Sequence, residues 1–202
     1  KTSDQLFRIF YAGAILPFAQ LQSIIDVCEA VADLNLQGLS VRFDIFCPPA
    51  MINLYNEKLR TCDAINLQPT LISRDDYSSA MSAADLLLLP VNFSEETIRF
   101  IRYSMPTKVP EMMQSGVPIL VYGPSEVAQV NYALENGWGY TVTEKSIEKI
   151  ATAIKKLSAD SSLRSELVCK SRLLASEHHD IKTLRTQFQS ALAGAMINQN
   201  SH

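Results

Sequence analysis

Hydrophobic positions along this chain fall into short, continuous apolar runs that alternate with longer stretches of helical period. Phe7-Arg-Ile-Phe-Tyr11 reads as a strand running into Gly13, and an amphipathic stretch follows from about Pro17 to Asn35. Val41 to Phe46 reads as a second strand that Pro48 and Pro49 stop, after which Ile52, Tyr55 and Leu59 recur at helical spacing within Met51 to Arg60. Ala64 to Leu67 is a short third strand. Ser73 then offers an N-cap, with Asp75 and Asp76 in the first turn of a helix expected to end near Ala84. Leu86 to Pro90 is a continuous apolar strand, and Asn92 to Met105 reads as irregular. A helix at about 108–115, a strand at 117–122 and a helix from Ser125 to Asn136 follow, the last ended by Gly137. Tyr140 to Val142 is the final short strand, and 146–197 reads as a tail of two or three helices with breaks near Asp160 and His179.

Continuous apolar strands alternating with amphipathic helices imply a parallel sheet covered on both faces. The expected fold is therefore α/β, a doubly wound Rossmann-like sheet with a helical C-terminal tail. With 202 residues, 47% of them hydrophobic, the chain suffices for one domain with its own core. In such sheets ligands bind beyond the carboxyl ends of the strands. The chain opens on Lys1 and not on Met, which is what a portion excised from a longer protein would show.

Charge and cysteine usage narrow the chemistry. A net charge of −3 lacks the excess of Lys and Arg that a general nucleic-acid binder needs, so any anionic ligand is small and held locally. Cys28, Cys47, Cys62 and Cys169 are scattered, with no C-x-x-C pair and no nearby His, so neither a metal site nor a disulfide framework is signalled. They read as reduced cytosolic thiols. No apolar run reaches the roughly 18 residues of a membrane-spanning helix.

The segment Ser104 to Pro124, "SMPTKVPEMMQSGVPILVYGP", sits where a strand-following loop feeds a helix. With Thr107 as N-cap, Pro110 costs little in a first turn, and the amides of Lys108, Val109 and Glu111 point outward toward an anion, joined by the Lys108 ammonium. Glu111, one turn in, can accept two hydrogen bonds from vicinal hydroxyls. The plainer alternative stands beside this: Thr107 caps, Glu111 complements the helix dipole and Lys108 is solvated.

"PTKVPEMMQSGVPILVYGP" resembles the nucleotide-sugar segment of retaining, GT-B-fold glycosyltransferases of the family-4 type. The resemblance extends to Phe10-Tyr-Ala-Gly13, to "SAADLLLLP" at Ser82 to Pro90, to Asn136-Gly-Trp-Gly139 and to Asp160-Ser-Ser-Leu-Arg164, in order over Phe7 to Leu192. It implies the C-terminal, donor-binding domain of a two-domain enzyme that transfers a sugar from a nucleotide-diphosphate-sugar to a glycan or lipid-linked acceptor. On the matching positions Glu111 takes the ribose hydroxyls, Thr107 and Lys108 hold the diphosphate, Pro69, Thr70, Leu71 and Ile72 flank the base, and Gly13 admits the phosphates closely. The resemblance further implies no metal and no cofactor beyond the donor substrate. It places an N-terminal Rossmann-like domain elsewhere, with that domain the route to peripheral membrane association. The implied setting is cytoplasmic, at the inner membrane face, in bacterial surface polysaccharide synthesis.

Departures from the family pattern bear on function. Two positions that often carry phosphate-facing Arg and Lys hold Ala14 and Ala19 here. The first member of the usual glutamate pair is displaced, with Glu95, Glu96 and Tyr103 as the alternatives. Arg99 or Arg102, in Ile98-Arg-Phe-Ile-Arg-Tyr103, is the expected replacement cation, and Lys108 with Arg102 the expected catalytic pair; the plain reading is a solvated basic face. A domain that keeps the fold while losing donor chemistry is the alternative function. Trp138 reads as a core or rim aromatic with ligand contact open to it, Asp85 as a helix-end or strand-start partner, and His178-His179 as a helix-end pair.

Overall fold

The computed structural model describes residues 6–179, together with Arg185, Gln189 and Ser190. The outer part of the expected tail, 180–197, lies otherwise outside the described residues. Six strands pair in one wholly parallel sheet: β1 (Phe7–Ala12), β2 (Val41–Cys47), β3 (Ile65–Pro69), β4 (Leu86–Pro90), β5 (Ile119–Tyr122) and β6 (Tyr140–Val142). Their spatial order is β3-β2-β1-β4-β5-β6, so the winding reverses between β1 and β4, and the doubly wound expectation holds.

Burial on both faces follows directly from the alternation of side chains along each strand. Ile9 and Tyr11, Leu86 and Leu88, and Leu120 and Tyr122 enter one core. Phe10, Leu87 and Leu89, and Ile119 and Val121 enter the other. The first core is closed by α1 (Leu21–Leu36), α2 (Pro49–Leu59) and α7 (Ile147–Ala159). The second is closed by α3 (Arg74–Ser82), α5 (Val109–Gln114) and α6 (Ala128–Asn136). The last described helix, α8 (Ser161–His178), buries Leu167 in the first core and Ala175 in the second, so it crosses from one face to the other. Asp160 ends α7 and caps α8 by accepting from the Leu163 amide at 2.9 Å.

Several boundaries differ from expectation for identifiable reasons. Residues 17–20 form a turn and α1 starts at Leu21, because the amides of Gln20 and Leu21 both bond back to the Leu16 carbonyl. Pro49 opens α2, where its missing N–H costs nothing. The segment expected to be irregular contains α4 (Glu95–Ile101), whose Ser94 cap accepts from the Thr97 amide at 3.2 Å. β5 starts at Ile119, after Pro118, whose carbonyl accepts from Leu87 at 2.9 Å. α6 starts at Ala128 and ends, as expected, at a left-handed Gly137 with φ +62°. Asp85 is the expected strand-start partner, accepting from the Arg8 amide at 2.9 Å. Trp138 is fully buried in the second core against Tyr132, which removes the ligand contact left open to it.

One buried side chain ties the end of β4 to the turn before α1 and to the first turn of that helix. Asn92, just past β4, accepts from the Ser23 amide at 3.0 Å and donates to the Pro17 carbonyl at 2.8 Å. Its own amide donates to the Ala19 carbonyl at 2.7 Å, and Ser23 returns a hydroxyl bond to the Val91 carbonyl at 2.7 Å. Asn92→Ala strands the buried Ser23 amide and removes the tie to Pro17, and is expected to destabilise the chain by about 2–4 kcal/mol. Urea unfolding checks this, and a loss below about 1 kcal/mol would show that the clasp is dispensable.

Candidate functional site

Helices leave β1 and β4 on opposite faces, which opens a crevice beyond the carboxyl ends of these strands. Its floor is the end of β1. Gly13 follows with φ +152°, a conformation L side chains rarely adopt, and a Cβ there would sit 3.3 Å from Lys108 Nζ and 3.4 Å from the Tyr11 hydroxyl. Glycine is therefore required on backbone grounds and because a cation occupies the adjoining space.

That cation reaches over from the second face. Lys108 precedes α5, is half-buried, and sets its ammonium 3.3 Å from the Ala12 carbonyl and 4.6 Å from the centre of the Tyr11 ring. Among the described residues it forms no ion pair. Burial lowers its pKa from 10.5 to about 8. Tyr11 beneath it donates to the Ala14 carbonyl at 2.6 Å, and burial, with Cys47 adding to it, pushes its pKa up, so the phenol stays neutral. The outcome is a positive charge at the crevice floor, held by a carbonyl and a π-face and left without a counter-ion.

Other expected site residues separate into groups. Thr107 is exposed and does not cap α5; Lys108 occupies the cap position without a side-chain cap bond, so the expected N-cap is corrected. Val109 is fully buried and its amide already donates to the Pro106 carbonyl at 3.1 Å, which removes it from the expected ligand donors. The amides of Lys108 and Glu111 donate to no backbone carbonyl of the described residues. Glu111 is half-buried and close enough to Tyr77 that its charge, after burial, adds to the rise of the Tyr77 pKa.

Glu111 and Thr107 line an open groove of about 510 Å³ between α3 and α5, with Arg74, Ser78, Met81 and His179 among the other walls. Arg74 is a residue that the sequence alone did not single out. The loop after β3 stands at the same end of the sheet: Pro69 and Thr70 are exposed, Leu71 turns toward the second core and Ile72 is fully exposed. His179 ends α8, where the Tyr132 hydroxyl lies 3.1 Å from its Nε2; burial, and then His178, lower its pKa.

α4 holds the remaining candidates. Arg99 and Arg102 are exposed, and the Arg102 guanidinium lies 5.5 Å from the centre of its neighbour's ring, Tyr103, outside the groove that Glu111 lines. Glu95 and Glu96 lie in the exposed first turn of α4, and Tyr103 is exposed as well. Ala19 is buried, and the carbonyl of exposed Ala14 is occupied by Tyr11. All four cysteines are free, no helix of the described residues is long and apolar enough to cross a membrane, and no cluster of metal-ligating side chains occurs among them.

Comparison with solved structures places this architecture. The chain superposes on HepE from Anabaena in complex with UDP-glucose with a TM-score of 0.71 at 16% identity, over 93% of this chain and 49% of that one. It matches WaaG, a glycosyltransferase involved in lipopolysaccharide biosynthesis, with a TM-score of 0.61 at 20% identity, over 86% of this chain and 43% of that one. The C-terminal domain of LpcC, a group 1 glycosyl transferase of Francisella tularensis, matches with a TM-score of 0.65 at 15% identity over 87% of both chains. The fold is that of a GT-B glycosyltransferase C-terminal domain. The chain spans less than half the length of WaaG and HepE. No protein-family model and no curated protein sequence matches it.

The half-buried lysine makes stability depend on pH in a defined direction. Its folded pKa lies below the unfolded value, so between about pH 8 and 10.5 the unfolded chain binds the extra proton and stability from this group rises with pH. Relative to Lys108→Met, which removes the titration, wild type should gain up to about 3 kcal/mol across that window, measured by urea unfolding at stepped pH. A difference that stays flat from pH 7 to 10.5 would place the ammonium in solvent.

Proposed function

We propose that this chain is the donor-binding part of a glycosyltransferase that moves a sugar from a nucleotide-diphosphate-sugar to a glycan or lipid-linked acceptor. The observation that carries the reading is the Lys108 ammonium, lodged without a counter-ion beside Gly13 at the carboxyl end of β1. A diphosphate supplies the missing charge, and the backbone at Gly13 leaves room for it. Glu111 takes the ribose hydroxyls in charge-assisted hydrogen bonds, Thr107 joins Lys108 at the diphosphate, and Pro69 to Ile72 flank the base. Lys108 stabilises the negative charge that builds on the departing diphosphate, the electrostatic effect that dominates such transfers. Arg102 is the second cation in this reading, brought in when the donor is bound.

HepE, at 16% identity, is complexed with UDP-glucose, and its length beyond the match supports a further domain that would supply the acceptor side here. WaaG is involved in lipopolysaccharide biosynthesis, which supports a surface polysaccharide as the product. A second reading, a domain that binds nucleotide or a partner without catalysis, is favoured by one feature. Exposed Ala14 and buried Ala19 supply no charge at the two positions where the family often has cations.

Calorimetric titration with nucleoside diphosphates tests the reading. Glu111→Gln is expected to weaken binding by about 1–3 kcal/mol with little change in melting temperature. Lys108→Ala should lower both the affinity and its sensitivity to salt, and Arg102→Ala should do so less. The 202-residue chain alone should transfer no sugar. Unchanged affinity and unchanged salt dependence in both cation variants would favour the non-catalytic reading.

A further inference from the structure

Tyr11 is the penultimate residue of β1 and only 1% exposed, one more position in an apolar strand as far as the sequence goes. Its surroundings set it apart. The Lys108 ammonium lies 4.6 Å from the centre of its ring, and its hydroxyl donates to the Ala14 carbonyl at 2.6 Å. Gly13 stands between these contacts, and a Cβ added there would meet Lys108 Nζ at 3.3 Å and the Tyr11 hydroxyl at 3.4 Å. One aromatic side chain thus touches the cation, the space that glycine leaves open and the loop beyond it.

A lysine ammonium is a point charge with three donors on a flexible four-carbon stem. Apart from the ring, the protein holds this one by the Ala12 carbonyl at 3.3 Å, longer than an ordinary hydrogen bond of its kind. Glu111, the acid nearest to it in sequence, forms no ion pair with it. A carboxylate partner would fix the lysine equally well and cancel its charge, whereas the face of an aromatic ring attracts the cation and leaves the charge for a ligand. The ring itself is immobile, since burial and the bond to the Ala14 carbonyl lock it, and the same bond fixes the loop past Gly13. We propose that Tyr11 is the positioning residue of the anion site, its ring holding the Lys108 ammonium beside Gly13 and its hydroxyl holding the loop that follows. The identity of the anion rests on the nucleotide reading above; the contact between Tyr11 and Lys108 does not. With Ala14 and Ala19 uncharged, the placement of this single ammonium decides how well a diphosphate is held.

Two measurements test this. In lysine-labelled protein, the Cε protons of Lys108 should be shifted upfield by the ring in wild type and in Tyr11→Phe, and the shift should vanish in Tyr11→Leu. Calorimetry with UDP, GDP and ADP reads the consequence for binding. Tyr11→Leu should weaken the best-bound nucleotide roughly tenfold and flatten its salt dependence, while in a Lys108→Met background the same change should cost less than about twofold. Phenylalanine at position 11, followed by its mono- and trifluorinated forms, drains the face of the ring at nearly constant volume, so affinity should fall stepwise along the series where a packing role would leave it level. An absent ring shift in wild type, a level fluorine series, or a Tyr11→Leu penalty undiminished in the Lys108→Met background overturns the assignment while nucleotide binding stands. Binding of none of the three nucleotides to wild type removes the nucleotide reading, and the role of Tyr11 with it, even where the ring shift is present.

Discussion

The reversal of winding between β1 and β4 is the constraint on which the rest of the molecule depends. β1 and β4 are each hydrogen-bonded on both sides, and right-handed crossovers send α1 to one face and α5 to the other. No helix can then cover the carboxyl ends of the two central strands. The chain furnishes that opening with its own polar groups, and it does so asymmetrically. On the side of the first face Asn92 consumes the free Ser23 amide in the first turn of α1 and the Pro17 carbonyl of the turn before it. On the side of the second face Lys108 leans in over Tyr11 and leaves most of its hydrogen-bonding capacity unspent.

That asymmetry decides where an anion can bind. In many doubly wound folds the start of the first helix receives the phosphate. Here the Ser23 amide is taken by Asn92, the Leu16 amide lies 3.3 Å from Gln20 Oε1, and Ala19 is buried. The positive charge of the crevice therefore comes from the opposite bank, from a lysine whose desolvation is met only in part by the Ala12 carbonyl and the Tyr11 ring. Asp26 shows the contrasting treatment of a buried polar group. It accepts from the Tyr122 hydroxyl at 2.8 Å and from Gln22 at 3.0 Å, and so is satisfied inside the protein.

Around the crevice the packing sets the reach of each candidate. Phe18 meets Phe100 edge-on at 5.0 Å and its carbonyl accepts from the Thr97 hydroxyl at 2.7 Å, which pins α4 to the turn before α1. The Arg102 carbonyl in turn accepts from the Ala128 amide at 2.7 Å and so joins the end of α4 to the start of α6. These bonds fix the backbone of the cationic segment while its side chains stay exposed.

Strand positions, the doubly wound class and the helix terminators at Asp160 and Gly137 were all legible in the sequence. Each rests on a local rule: two-sided burial of apolar runs, a short polar cap, a glycine free to adopt positive φ. The need for glycine at position 13 was legible as a close-approach position, but its reason was not, since Lys108 lies 95 residues away and meets it only across the reversal. Three site features were decided by tertiary structure. The cap of α5 passed from Thr107 to Lys108, Val109 went into the core with its amide spent on Pro106, and Arg74 came to face Glu111. None of these follows from residue type or spacing. Hydrogen-bond satisfaction and the facing of two helices on one sheet depend on which segments the fold brings together, and local pattern carries no information about that.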